Sequence, residues 1–271
     1  MNRHPIRTLT GIPSTRSLWF LLRQETKALT AVPGEVVVEV FLSPLGYLFL
    51  LGAGISGMLA GGSGSNEAFL ANLWFMVPGI VAIQAFFAIS ASMYRLQADR
   101  QSGMMAMKLV QGVRPVVYTV SIFAIPLVRF LAQVIVLLTA AWVLGIRMTA
   151  SEVGLVVMVG VIAAVTWLAV GGLLVFLVRK QTNRAVVMRV LSLPLMFSAP
   201  TFYPLESMPA YLRTLAFFNP LTYHLELMRG SVQIGPSWLL WPVVLALLIV
   251  STVTLTVLVS IAQPLPAQDN V

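Results

Sequence analysis

The chain has 271 residues, 58% hydrophobic and only 10% charged, with a mean hydropathy of +0.91 and a net charge of +8. A soluble domain carries about 25% charged residues. This chain therefore lacks the polar surface to coat a globule, and the bilayer is the solvent that fits it. It has no cysteine, which removes disulfides, thiolate metal sites and thiol nucleophiles. His4 and His224 have no metal-ligand spacing, so no metal is expected. The basic residues do not alternate with exposed aromatics, which argues against nucleic acid and for cytoplasmic loops facing anionic lipid.

The first element in chain order is amphipathic. In "STRSLWFLLRQETKALT", at 100° per residue, Arg16, Arg23 and Lys27 share one stripe and Leu18, Leu22 and Leu29 lie opposite, with Glu25 interrupting the apolar side. This predicts a helix over 14–32 lying in the inner headgroup layer; a cytoplasmic helix packed on protein is the alternative. The burst "LWFLL" is too short for a signal peptide. Pro33-Gly34 then breaks the chain.

Six apolar runs follow, at about 36–60, 69–93, 116–145, 153–178, 186–204 and 237–262. Each is near the roughly 20 residues that cross a bilayer. The fifth is interrupted by Pro194, Pro200 and Pro204. The expected fold class is all-α: one polytopic transmembrane domain over 1–271, with six spans. Loop 61–68 has no basic residue, 94–115 has Arg95, Arg100, Lys108 and Arg114, the turn near Gly145–Ser151 has only Arg147, and 179–190 has Arg179, Lys180, Arg184 and Arg189. The alternation puts the second and fourth loops, and both termini, in the cytoplasm. Cysteines introduced at Ser63 and Ser65 are expected to react with an impermeant thiol reagent on intact cells, and cysteines at Gln101 or Gln181 to stay unlabelled. Labelling of Gln101 from outside reverses the orientation.

Between spans two and three lies "YRLQADRQSGMMAMKLVQGVRP", Tyr94–Pro115, charged yet rich in methionine. A short helix over Gln97–Lys108 is predicted, with charge on part of its surface and methionine on the rest. Asp99, Arg100 and Lys108 would make polar contacts, Met104, Met105 and Met107 apolar ones, and Gly103 would let the backbone turn. Such a surface can grip a partner; a solvated loop resting its methionines on the membrane is the alternative.

Arg129 lies well inside span three, with Gln133 one turn later on the same face. At 1.5 Å per residue it stands about 24 Å from Gly145, which predicts an inner-leaflet position within snorkelling reach of the cytoplasmic surface. Two readings stand: Arg129, with Gln133 beside it, meets an anionic substrate group or lipid at the entrance of the path, or Arg129 bonds a headgroup or a helix carbonyl. By these spans no carboxylate lies at mid-bilayer, which argues against proton coupling. No lysine stands in a G-x-x-x-x-G-K-[ST] pattern, so any ATP hydrolysis belongs to another chain.

The stretch Ser198–Gly230 is broken by Pro200, Pro204, Pro209 and Pro220. "MPAYLRTLAFF" and "PLTYHLELMRG" each predict a short helix with Pro at or near its start. Non-helical backbone at membrane depth survives only when buried in protein or lining a wet cavity. A re-entrant external hairpin is therefore expected between spans five and six, with Phe202, Tyr203, Phe218 and Asn219 bordering the outer end of a substrate path; an ordinary surface loop is the alternative.

Four stretches in order carry a family resemblance: the amphipathic helix before span one, "SPLGYLFLLGAGISG", "RLQADRQSGMMAMKLVQG", and "FYPLESMPAYLRTLAFFNPLTYHLELMRG". Together the chain resembles an ABC-2 type permease, the membrane subunit of bacterial ABC exporters, and is similar to daunorubicin-type drug exporters and nodulation-factor exporters. The resemblance implies that the loop between spans two and three is a coupling helix seated on a separate cytoplasmic ATPase. It implies two ATPase copies, a second permease subunit, identical or homologous, and location in the bacterial inner membrane. It implies no cofactor on this chain, with ATP and Mg²⁺ bound by the partner. The expected cargo is an amphipathic or hydrophobic drug, lipid or glycolipid. A polysaccharide or lipid-linked glycan is the alternative, and a stand-alone secondary transporter the reading from another class.

Overall fold

The computed structural model describes residues 33–52, 66–178, 180–202, 204–230 and 237–261, and within them every regular element is helical. The expected in-plane helix over 14–32 and the far part of the first span lie outside the described residues.

The first helical run, α1, joins Pro33–Val37, a π-helical piece Val38–Leu42, Ser43–Gly46 and a second π-helical piece Tyr47–Gly52. The Ser43 N–H reaches back five residues to the Val38 carbonyl. The next residue, Pro44, has no N–H to give, so the regular ladder is interrupted here. π segments inside a helix often mark functional positions.

Among the described residues eight further helices follow: α2 (Asn66–Gln101), α3 (Met104–Val110), α4 (Pro115–Val143), α5 (Ala150–Leu177), α6 (Gln181–Ser198), α7 (Ala210–Phe218), α8 (Pro220–Arg229) and α9 (Ser237–Ile261), with a 3₁₀ turn at Leu205–Ser207. Among the described residues four stretches are long and apolar enough to cross a membrane: Leu73–Gln101, Pro115–Val143, Ala150–Leu177 and Leu240–Ile261. Local chemistry sets their starts. Pro115 and Pro220 occupy first helical positions, where a missing N–H costs nothing. Thr149 and Glu152 form a reciprocal capping box at the head of α5: Thr149 N–H donates to Glu152 Oε2 at 2.7 Å, and Glu152 N–H to Thr149 Oγ1.

Three boundaries differ from the sequence expectation. Helix α2 does not stop at 93 but runs to Gln101. Its 36 residues extend to about 54 Å, well beyond a hydrocarbon core of about 30 Å. The single helix expected over Gln97–Lys108 is thus two pieces, the end of α2 and the separate α3. They are joined at Gly103, whose φ of 72° belongs to the left-handed region. The fifth run, expected over 186–204, begins earlier and ends at Ser198. Ala199, preceding Pro200, is extended (ψ 145°), as the ring of the next residue demands. Helix α6 is not among the four apolar crossings, because its first turns are polar and basic.

Helices α2 and α5 pack along each other as the centre of the bundle. In lipid, such pairing relies on small residues and interhelical hydrogen bonds rather than on hydrophobicity. Gly171 lies against the Ile89 carbonyl, and Ser92 Oγ donates to Leu168 O at 2.6 Å. Gly79 packs on the Thr201 backbone, and Gly172 on Leu255 of α9. Of the apolar window of α2, 72% is buried within the protein, against 22% for α9, so α9 lies at the periphery of the bundle. Ile249, Val250, Val253 and Val257 of α9 and Val120, Val128 and Ile135 of α4 are exposed, as lipid contact requires.

Candidate functional site

Three groups of side chains stand out. At one end of the bundle, Asp99 near the end of α2 is buried and holds two partners on one oxygen. Lys108 Nζ of α3 and Tyr118 Oη of α4 each donate to Asp99 Oδ2 at 3.0 Å, and Arg95 Nε stands 3.8 Å from Oδ1. This latch folds α3 back against the bundle. Met105 closes it from the apolar side: it is 3% exposed and belongs to the cluster of Met93, Leu96, Tyr118 and Ile122. Met104 and Met107 are 40% and 50% exposed.

This corrects part of the expected contact surface. Asp99, Met105 and Lys108 face inward, because the turn at Gly103 brings α3 back over the end of α2. Two neighbouring arginines hold the tail of α5. Arg100 Nη1 donates to Val175 O at 3.1 Å and covers the Phe176 ring at 4.6 Å. Arg184 of α6 donates to Val178 O at 2.7 Å and to Gln97 Oε1 at 2.6 Å. Arg184 lies outside the four crossings; burial first, and the like charge of Arg100 second, lower its pKa from the ordinary arginine value. The exposed methionines are thus mounted on a platform tied to α2, α4, α5 and α6.

The second group lies where α1 meets α2 and α4. Arg129 stands at the midpoint of α4, fourteen residues from Pro115 and from Val143. Among the described residues it bonds no carbonyl. Its Nη1 pairs with Glu39 Oε2 at 2.8 Å. Gln133, one turn on, donates to the Glu39 backbone carbonyl at 3.1 Å, within the first π segment. Gln84 Nε2 of α2 donates to Ser43 Oγ at 2.9 Å. Glu39, expected near the inner end of the first span, is therefore brought to the middle of α4. That removes the absence of a mid-span carboxylate as a reason against ion coupling. A cavity of about 110 Å³ between the three helices is lined by Glu39, Ser43, Gln84, Phe87, Pro126 and Gln133, among others.

The third group is at the opposite end, near the starts of α2 and α5. Here α7 and α8 are the two short helices expected from the sequence. Arg229, at the end of α8, ties that helix down. It donates to the carbonyls of Pro200 (2.6 Å), Thr201 (3.1 Å) and Phe75 (3.1 Å) and stacks 3.6 Å above the Phe75 ring. The expected path residues divide. Phe202 is buried against Met76 and Ile83. Asn219 is buried too: it caps α8 by accepting from Leu221 N–H and donates to Leu195 O and Ser198 Oγ. Phe218 is 81% exposed. Tyr203 lies outside the described residues.

Sequence reading missed Ser43, Gln84, Tyr118 and Arg229 as members of these groups. Gln84 had a visible signal, a polar amide inside an apolar run; the capping box at Thr149 was equally legible. Among the described residues no three His, Asp or Glu side chains converge as metal ligands would.

Crossing helices, a polar seam between them and a braced amphipathic helix at one end define a polytopic helical membrane protein. The family model for ABC-2 type transporter matches residues 16–233, and the chain belongs to that family. It is thus a membrane transport component. It is also 30% identical over 172 residues to a protein of Cyanophora paradoxa named as a transport permease, ycf38. The match covers 62% of this chain and 58% of the length of that relative.

Proposed function

We propose that this chain is the permease subunit of an ATP-driven exporter, carrying an amphipathic or hydrophobic molecule outward from the cytoplasm or inner leaflet of a bacterial inner membrane. Hydrolysis takes place on a separate ABC ATPase, two copies of which serve a pair of permease subunits, with ATP and Mg²⁺ bound there. Family membership supports the partner class. The observation that carries the reading is α3: a helix of seven residues with Met104 and Met107 outward, beyond the crossing part of α2, and with its other face latched by Asp99–Lys108. A loop without a partner needs no such brace. Methionine surfaces adapt to a mating groove, and the latch passes movement of the groove to α2 and α4.

The test is co-purification from the host membrane. A stoichiometric ATPase is expected with the wild type. Met104→Asp and Met107→Asp are expected to remove it, because a carboxylate would be enclosed unpaired in the joint. Their melting temperatures should stay at the wild-type value, since both positions are solvent-exposed. If both variants retain the ATPase and its substrate-stimulated hydrolysis, docking lies elsewhere, on the basic segment 179–190. Phe218 is assigned to the outer end of the path. Phe218→Ala should lower transport while co-purification and basal hydrolysis remain.

A further inference from the structure

The seam between α1, α2 and α4 has properties that packing alone does not require. Ser43, Gln84 and Gln133 converge on one cavity of about 110 Å³, and Glu39 lines it as well. By liquid volume this is space for about three to four waters, or for a small polar head in their place. Gln84 and Gln133 are buried, and among the described residues the Gln133 side-chain oxygen has no protein partner. Gln84 Oε1 has only the long 3.3 Å contact from Ser43 Oγ. Nε of Arg129 is likewise without an acceptor. Pro126 and the π segment Val38–Leu42 both border the cavity, and both interrupt regular backbone bonding. An open groove bordered by Gly34, Val38 and Leu42 shares Glu39 and Ser43 with this niche. Polar niche and apolar groove are therefore continuous, the shape of an amphiphile.

Charge decides which amphiphile. Among the described residues Arg129 is the cation at this seam, and Glu39 already neutralises it at 2.8 Å. What remains towards the cavity is amide, hydroxyl and the paired carboxylate of Glu39, with no unpaired positive charge for an anionic head. We propose that the niche binds the uncharged, hydroxyl- or amide-bearing head of an amphiphilic cargo, with its chain along the Val38–Leu42 groove. Gln84 and Gln133 make the hydrogen bonds, and Glu39 excludes anionic heads by occupying Arg129. This rests on the transport reading above, but its test needs no ATPase, so the two can fail separately.

The experiment uses the full chain in phosphatidylcholine nanodiscs with two photoreactive probes of equal chain length. One is a diazirine-bearing monoacylglycerol, which is uncharged. The other is its 3-phosphate. The monoacylglycerol should label peptides of α1, α2 and α4 at the niche in preference to the phosphate. Gln84→Met and Gln133→Met should each lower that labelling about five-fold, the loss that one neutral hydrogen bond carries. Glu39→Gln, which frees Arg129, should turn the preference toward the phosphate by about ten-fold. Equal or stronger labelling of the wild type by the phosphate overturns the proposal, as does unchanged labelling of both glutamine variants. Should either glutamine variant fail to fold on size exclusion, Ser43→Ala is read in its place. It removes the Gln84 partner without enlarging a side chain, and unchanged labelling of that variant overturns the proposal equally.

Discussion

Gly171→Ala is expected to cost the bundle about 3 kcal/mol or more, enough to lose most of the folded protein on extraction. The added Cβ would overlap the Ile89 carbonyl and Ser92 Oγ, and the first of these is backbone, which cannot rotate away. Helix α2 would have to move off α5. The Ser92–Leu168 bond at 2.6 Å would stretch or break. In lipid no hydrophobic gain draws the helices back, because the alternative neighbour is equally apolar. Gly154, on the same helix, has open space at its Cβ. Gly154→Ala should be neutral or stabilising, by up to about 1 kcal/mol of helix propensity. Melting temperatures in one detergent compare the two. Equal melting of both variants would mean that the α2–α5 crossing is looser than the structure has it.

The latch carries the second large effect. Asp99→Leu removes the carboxylate that Lys108 and Tyr118 both bond, and removing one member of a buried pair costs about 3–5 kcal/mol. Lys108→Met should cost less, since Arg95 still stands 3.8 Å from Asp99. Asp99→Leu with Lys108→Met should recover much of the loss, because no buried charge is then left alone. The measurements are thermal melting and hydrogen exchange over Met104–Val110. Fast exchange in Asp99→Leu that slows again in the double variant is the expected pattern. Additive losses would show that the two charges do not act as a pair. Met105→Asp belongs with this series: at 3% exposure it disrupts the latch itself, so loss of the ATPase in that variant would not map the joint.

What the sequence by itself determined is what depends on neighbours a few residues away. Hydropathy runs set the membrane environment and the ends of α4 and α5 to within a few residues, because a crossing needs a fixed length of apolar chain. Proline spacing set the two short helices α7 and α8, and glycine the turn at Gly103, because both act on their own backbone. Which way each side chain points across a helix boundary was decided only by tertiary structure. Glu39 and Arg129 are 90 residues apart, and Arg229 reaches back 154 residues to Phe75. Met104 and Met105 read alike in sequence, yet one is exposed and the other lies in the core beneath Tyr118. Asn219 read as a path residue and serves as a buried cap. The physical reason is common to all four. In an apolar chain nearly every helix face is compatible with lipid, so the face turned inward is chosen by small-residue fit and by the few polar partners available, and those come from distant parts of the chain.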